Sequence, residues 1–275
     1  MDVALVTGAG RGMGLACARR MIARALVVVA DIDGDAASRA ARDLQRMGGR
    51  ALAVAGDVAD PAGIRTILDA ASEAGRLVAV AHAAGVSPTM ADWRRVIEVD
   101  LCGTARLVAG IRPVLAAGGT VVCFASIAGH LVVPPPAVLA LLDAPLDAGL
   151  LAGLDPYLAG EQVEGIAYGW AKHGVIRLCQ RMAAKFGERD GRIVSISPGL
   201  ILDTPQGEQE LAGQPAMRAM LELTPLRRGG RAEDVAAAVE WLCFSSDAAF
   251  ITGTDLRVDG GVTAALQYPS NRHTE

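Results

Sequence analysis

Tyr168 and Lys172 stand four residues apart in Tyr168, Gly169, Trp170, Ala171, Lys172. On a helix the i and i+4 positions share a face, so the ammonium can stand beside the phenol and stabilise its ionised form. An ordinary phenol titrates near pKa 10 and is a poor base at neutral pH. A cation about 4 Å away at an effective dielectric of about 20 is worth roughly 4 kcal/mol, or about three pKa units, enough to make Tyr168 a proton-transfer group. A packed tyrosine beside a snorkelling lysine is the competing explanation, and agreement with other signals in the chain decides between the two.

A second, independent signal lies far upstream. Thr7, Gly8, Ala9, Gly10, Arg11, Gly12, Met13 and Gly14 follow an apolar run and precede a helical pattern from about Leu15. The spacing is T-G-x-x-x-G-x-G rather than G-x-G-x-x-G. Its glycines permit a tight turn and let a pyrophosphate approach backbone N–H groups at a helix N-terminus, although turns also use glycine for steric reasons alone. Asp31 closes the next apolar run about 20 residues beyond Gly12, where a carboxylate accepts hydrogen bonds from the adenosine ribose hydroxyls. The same charge repels a 2′-phosphate, so NAD is favoured over NADP. Asp31 could instead cap the following helix, a role open equally to Asp33.

The elements that must position these residues alternate along the chain. Strands are expected at Ala4–Thr7, Leu26–Asp31, Ala51–Ala55, Leu77–Ala81, Thr120–Phe124, Arg192–Ser197 and Asp255–Val258, with helices between them. Apolar strands separated by amphipathic helices predict an α/β fold, a single-domain doubly wound parallel sheet of Rossmann-like type spanning residues 1–275. Ligands then belong at the carboxyl ends of the strands. Residues 130–165 break the rhythm. Pro134 to Pro136, Pro145, Pro156 and Leu-rich pieces predict an apolar helical insertion of two or three short helices before Tyr168.

Composition excludes several classes. A chain of 275 residues, 52% of them hydrophobic, can bury one large core. A net charge of −4 and dispersed Lys and Arg argue against nucleic acid. Cysteines at 17, 102, 123, 179 and 243 form no CxxC or Cys/His spacing and read as reduced thiols. Histidines at 82, 130, 173 and 273 show no H-x-x-x-H or H-E-x-x-H spacing, so no metal is expected. The first strand begins almost at Met1 with no basic region leading an apolar targeting run, and no apolar stretch is long enough to span a bilayer. A cytoplasmic protein without a membrane span is the expectation.

From Val3 to about Ala264, the insertion apart, the chain resembles the short-chain dehydrogenase/reductase family in its Tyr-x-x-x-Lys branch. The resemblance implies a nicotinamide enzyme acting on a small-molecule alcohol or ketone. It implies catalytic roles for Ser126, Tyr168, Lys172 and Asp100. Ser126, in Phe124, Ala125, Ser126, Ile127, Ala128, Gly129, would bind the substrate oxygen, although a serine beyond a buried strand also serves as a turn residue. Asp100 stands where relatives carry an asparagine that helps hold a water, partly through its backbone carbonyl. The implied cofactor-binding residues begin with Gly8, Arg11, Gly12, Met13, Gly14 and Asp31. Asp57 and Val58 join them at the adenine position, and Ala83, Ala84 and Gly85 after the fourth strand. Tyr168 and Lys172 complete the set with Pro198, Gly199, Ile201 and Thr204, which match a segment that holds the nicotinamide carboxamide. Asp203 to Thr224 match a stretch that closes over substrate.

Two asparagines of the family's N-N-A-G stretch are replaced by His82 and Ala83, and His82 is expected to be a buried, satisfied histidine rather than a proton carrier. The long insertion is similar to that of bacterial hydroxysteroid dehydrogenase/carbonyl reductases, which implies a bulky apolar substrate. The insertion must lie near the mouth of the site, as a lid, as an interface element of a homo-oligomer (dimer or tetramer), or as both. A mixture is favoured, with the interface role slightly ahead, because so much aliphatic surface would be a liability if exposed. A catalytically silent dinucleotide-binding regulator is the alternative, but it would have lost one of Ser126, Tyr168 and Lys172.

Overall fold

The computed structural model describes residues 1–160, 163–213 and 215–268. Residues 161–162 of the insertion, residue 214 of the stretch expected over substrate, and 269–275 with His273 lie outside the described residues. Among the described residues seven strands form one sheet: β1 (Asp2–Thr7), β2 (Leu26–Asp31), β3 (Ala51–Ala55), β4 (Arg76–His82), β5 (Leu115–Phe124), β6 (Arg192–Pro198) and β7 (Asp255–Val258). Their order is β3-β2-β1-β4-β5-β6-β7 and every pairing is parallel. The expected α/β class and all seven strands are present, β5 starting five residues early. Strands such as Asp-Val-Ala-Leu-Val-Thr are buried almost throughout because helices cover both faces of a parallel sheet.

On one face lie α1 (Gly12–Met21), α2 (Gly34–Arg46) and α11 (Ala232–Phe244), packed over Val27, Val29, Val122 and Val194. The other face carries α3 (Pro61–Ala74), α4 (Trp93–Ile97), α5 (Thr104–Val114) and α8 (Glu164–Gly187), over Leu5, Val28, Val80 and Val121. Between β1 and β4 the order of connections reverses, and the loops after these strands diverge to leave a crevice at their carboxyl ends.

The insertion contributes α6 (Pro136–Leu142) and α7 (Leu150–Leu154), two short helices as predicted. Five of its aliphatic side chains are turned inward. Val138, Leu142, Leu150, Leu154 and Leu158 are at most 2% exposed, in one cluster with Trp93 and Trp170. Asp143 accepts two hydrogen bonds from Arg177 of α8, and Asp155 pairs with Arg94 of α4. The insertion thus adds a layer to the hydrophobic core of its own chain, and Leu131, Val133 and Leu146 are the large aliphatic side chains it leaves exposed. The remaining helices, α9 (Pro205–Gly213), α10 (Pro215–Leu223) and α12 (Val262–Gln267), follow β6 and β7. No helix among the described residues is long and apolar enough to cross a membrane.

Candidate active site

The crevice at the carboxyl ends of β1, β2 and β4 encloses about 200 Å³. Its floor is the glycine loop. Gly8 and Gly12 have φ of +64° and +57°, where a side chain would be strained. A Cβ on Gly8 would stand 2.8 Å from the Ala84 backbone, and one on Gly14 only 2.1 Å from the Gly8 carbonyl oxygen. Beside Gly12 the nearest atom is a Thr204 methyl at 3.8 Å, so the backbone there is open to a ligand. Arg11 and Met13 line the same wall.

At the far end stands Asp31, whose carboxylate accepts from the Gly10 N–H at 2.8 Å and the Asp33 N–H at 3.1 Å. Asp33, not Asp31, caps α2 by accepting from the Ala36 N–H, so the competing role has gone to the neighbour. Asp57 and Val58 form the opposite wall. Burial pushes the Asp57 carboxyl up, but the Ala59 N–H and the Arg95 guanidinium outweigh it and hold it below the usual carboxylate range. Arg95, 2.7 Å from Asp57, lines the crevice with Ile67 and Met90; sequence reasoning missed all three. They come from helices and a loop without a motif, and only packing brings them to the cleft.

Ala83, Ala84 and Gly85 make the inner wall. Behind Gly85 lie Asp100 and Lys172, since a Cβ there would meet Asp100 Oδ1 at 3.0 Å and Lys172 Nζ at 3.3 Å. Tyr168 and Lys172 share one face of α8, with Nζ 5.5 Å from the centre of the Tyr168 ring. Lys172 is buried. Its ammonium donates to the Phe124 carbonyl at 3.2 Å and stands 3.3 Å from Asp100 Oδ2. Burial pulls the ammonium down, and the Asp100 and Tyr168 charges overcome it, leaving Lys172 above its ordinary value.

Ser126 follows β5 and opens the short turn Ile127–His130, where its Oγ accepts from the Ala128 N–H at 3.2 Å and keeps its own proton to donate. That turn lies directly on the Tyr168–Lys172 face. A Cβ on Gly129 would be 2.8 Å from the His173 nitrogen, and one on Gly169 would be 2.6 Å from Val132. The sequence therefore needs glycine at both contacts, and His173 bonds the Gly129 carbonyl across them.

Asp100 is wholly buried in a single turn of π-helix, Glu98–Gly103, between α4 and α5. Its Oδ1 accepts from the Val86 N–H at 2.8 Å. Past β6 the chain divides. Thr204 and Pro205 reach the crevice, whereas Gly199 and Ile201 line a separate cavity with Thr224 and Asp259. Pro198 ends β6, and Ile201, bridged to Gly230, packs into the core.

Comparison with known proteins agrees with this geometry. A short chain dehydrogenase family model matches residues 2–138, and an enoyl-(acyl carrier protein) reductase model matches residues 157–263. The cis-4-hydroxycyclohexanecarboxylate dehydrogenase of Sinomonas cyclohexanicum is 36% identical, over 95% of this chain and 96% of its own. The 2-(S)-hydroxypropyl-CoM dehydrogenase 3 of Xanthobacter autotrophicus is 31% identical, over 96% of this chain and 97% of its own. Among solved structures, a 7α-hydroxysteroid dehydrogenase complexed with NADH and 7-oxoglycochenodeoxycholic acid superposes with a TM-score of 0.75 at 26% identity, covering 94% of this chain and 93% of that one.

Proposed function

We propose, from the premise that the chain belongs to the short-chain dehydrogenase/reductase family, that it is an NAD-linked dehydrogenase of a bulky, largely apolar secondary alcohol, with Tyr168 as its proton-transfer group. Oxidoreduction of alcohols and ketones is the activity of this family's relatives. The observation that carries the finer reading is the Tyr168–Lys172 face of α8, packed against the Ser126 turn, with the Lys172 ammonium directly behind Gly85 in the wall of the cleft that Gly8, Gly12 and Asp31 also line.

The cleft suits a dinucleotide. Gly12 leaves its backbone open, α1 begins there, where its first-turn N–H groups would meet a pyrophosphate, and Asp31 is held by two backbone donors at the place where ribose hydroxyls would bond it. When bound, the nicotinamide supplies the hydride acceptor or donor. Tyr168 takes the hydroxyl proton of an alcohol or returns it to a ketone, Ser126 donates to the same oxygen, and Lys172 biases the phenol toward its ionised form and would hold the nicotinamide ribose. Asp31 disfavours a 2′-phosphate, which supports NAD. The cyclohexane and steroid rings in the names of the relatives support an alicyclic substrate. A cytoplasmic homo-oligomer, dimer or tetramer, completes the proposal, and the fully exposed Phe250 is an apolar side chain that a partner subunit would cover.

The test is a parallel assay of NAD- and NADP-linked oxidation of substituted cyclohexanols and hydroxysteroids by wild type and Tyr168→Phe. The proposal expects NAD-dependent turnover that the variant abolishes, with NADH affinity within a few-fold of wild type. Near wild-type turnover by Tyr168→Phe rejects the mechanism, and tighter binding of NADPH than NADH rejects the role of Asp31.

A further inference from the structure

Beneath the cleft runs a chain of buried polar groups that the catalytic scheme does not use. His82, the last residue of β4, is 2% exposed, and Thr7 and Thr104 beside it are 1% and 2% exposed. His82 Nδ1 lies 2.7 Å from Thr7 Oγ1, and His82 Nε2 lies 2.9 Å from Thr104 Oγ1. The Thr104 hydroxyl is also 2.6 Å from the Asp100 carbonyl oxygen, and Thr7 Oγ1 is 3.3 Å from the Ala84 N–H.

These contacts leave one arrangement of protons. A carbonyl oxygen can only accept, so Thr104 donates to Asp100 and must accept from His82, which places the imidazole proton on Nε2. Nδ1 of the neutral ring is then an acceptor, so Thr7 donates to it and accepts from the Ala84 N–H. Protonating the ring would put a second donor against Thr7 and leave the Thr7 proton without its acceptor. The ionisable groups around the ring are Lys172 on α8, Asp100 on the π-turn and Cys123, its register neighbour on β5. Burial first, and the Lys172 charge second, push the His82 imidazole down to about 3.

We propose that His82 is a positioning residue that fastens the nucleotide loop to the π-turn and the start of α5, which set Asp100 against Lys172, its Nδ1 side holding Thr7 and its Nε2 side holding Thr104 and, through it, the Asp100 carbonyl. The first side governs cofactor binding, because Thr7 and Gly8 lie against Ala83 and Ala84 in the cleft floor. The second governs turnover, because Asp100 faces the Lys172 ammonium. This rests on the proposed dehydrogenase function only in its turnover arm.

Asparagine places its amide where Nδ1 stands and glutamine where Nε2 stands, so the two replacements separate the two sides. His82→Gln is expected to weaken NADH binding about tenfold with kcat within about twofold, and His82→Asn to lower kcat about tenfold with NADH affinity within about twofold. Thr104→Val should repeat the asparagine result and Thr104→Ser should restore wild type, which keeps the comparison open if a histidine variant fails to fold. Nitrogen-15 imidazole spectra of the full-length wild-type protein should show one ring fixed as the neutral Nε2–H form from about pH 5 to pH 9. Proportional losses of affinity and kcat in both variants, or a His82 ring that titrates in that range or carries its proton on Nδ1, overturn the inference. If no alcohol is turned over, the dehydrogenase proposal fails by itself, while NADH affinities and the imidazole spectra still decide this one.

Discussion

Asp100 and Lys172 form a buried pair beneath Tyr168, in which burial raises the Asp100 carboxyl against the opposing pull of the Lys172 ammonium and the Val86 N–H. Removing one partner of such a pair leaves the other charge uncompensated, so Asp100→Ala should cost about 3–5 kcal/mol in urea denaturation. Asp100→Asn keeps an acceptor for the Val86 N–H and should cost less, preserving most activity and altering mainly its pH profile. The sign at high pH follows from Lys172. Its value is raised in the folded protein, so the stabilisation is complete below the ordinary 10.5 and is lost as pH climbs through the folded value. The alkaline limit of stability should therefore move down in Asp100→Asn, which unfolding titrations would detect; an unchanged limit would show that the pair is not charged. Asp31→Ser should narrow the preference for NAD over NADP about tenfold or more, measured as a ratio of kcat/KM values.

Among the elements, the insertion departs furthest from what its composition implied. An apolar stretch rich in Leu and Pro reads equally as a lid, an interface or a core layer, because hydrophobicity states that a surface must be covered and not by what. The covering surface is α4 and α8 of the same chain. Leu154→Ala, at a fully buried position, should destabilise by about 2–5 kcal/mol, whereas Val133→Ser, at an exposed one, should stay within about 0.5 kcal/mol. Equal effects in thermal or urea unfolding would contradict the packing. The strands show the opposite case. Leu26–Asp31 was legible to the residue because a strand buried on both faces leaves an unbroken apolar run between turn residues, whereas Ala51–Ala55, a largely exposed edge strand, was legible from its short apolar run between Arg50 and Gly56. The π-turn around Asp100 leaves no such mark, since it changes one hydrogen-bond register within an otherwise ordinary helical sequence.

Across the whole molecule, acid should loosen the fold through its interior as well as its surface. His82 is pushed from 6.5 down to about 3, so below pH 6.5 the unfolded chain binds the extra proton and the folded chain does not. Stability contributed by the neutral ring is present above pH 6.5 and is lost as pH falls toward 3, by about 1.4 kcal/mol per unit and several kcal/mol in all. Urea midpoints measured from neutral pH down to about pH 4 should fall along this slope, and His82→Asn should flatten it. A slope identical in the variant would show that His82 is not the group responsible.

By itself the sequence determined the parallel sheet, the glycine loop, the acidic residue at the end of β2 and the Tyr-x-x-x-Lys face. Each is local: a run of apolar residues, a need for positive φ at Gly8 and Gly12, a helical spacing of four. Tertiary structure alone decided which groups meet across long separations. It set Arg95 against Asp57, carried Ile201 into the core while Thr204 reached the cleft, and folded the insertion onto α8. It also joined Thr7, His82 and Thr104 into one chain. Such meetings depend on how the loops after adjacent parallel strands pack, and single-residue spacing carries no record of that packing.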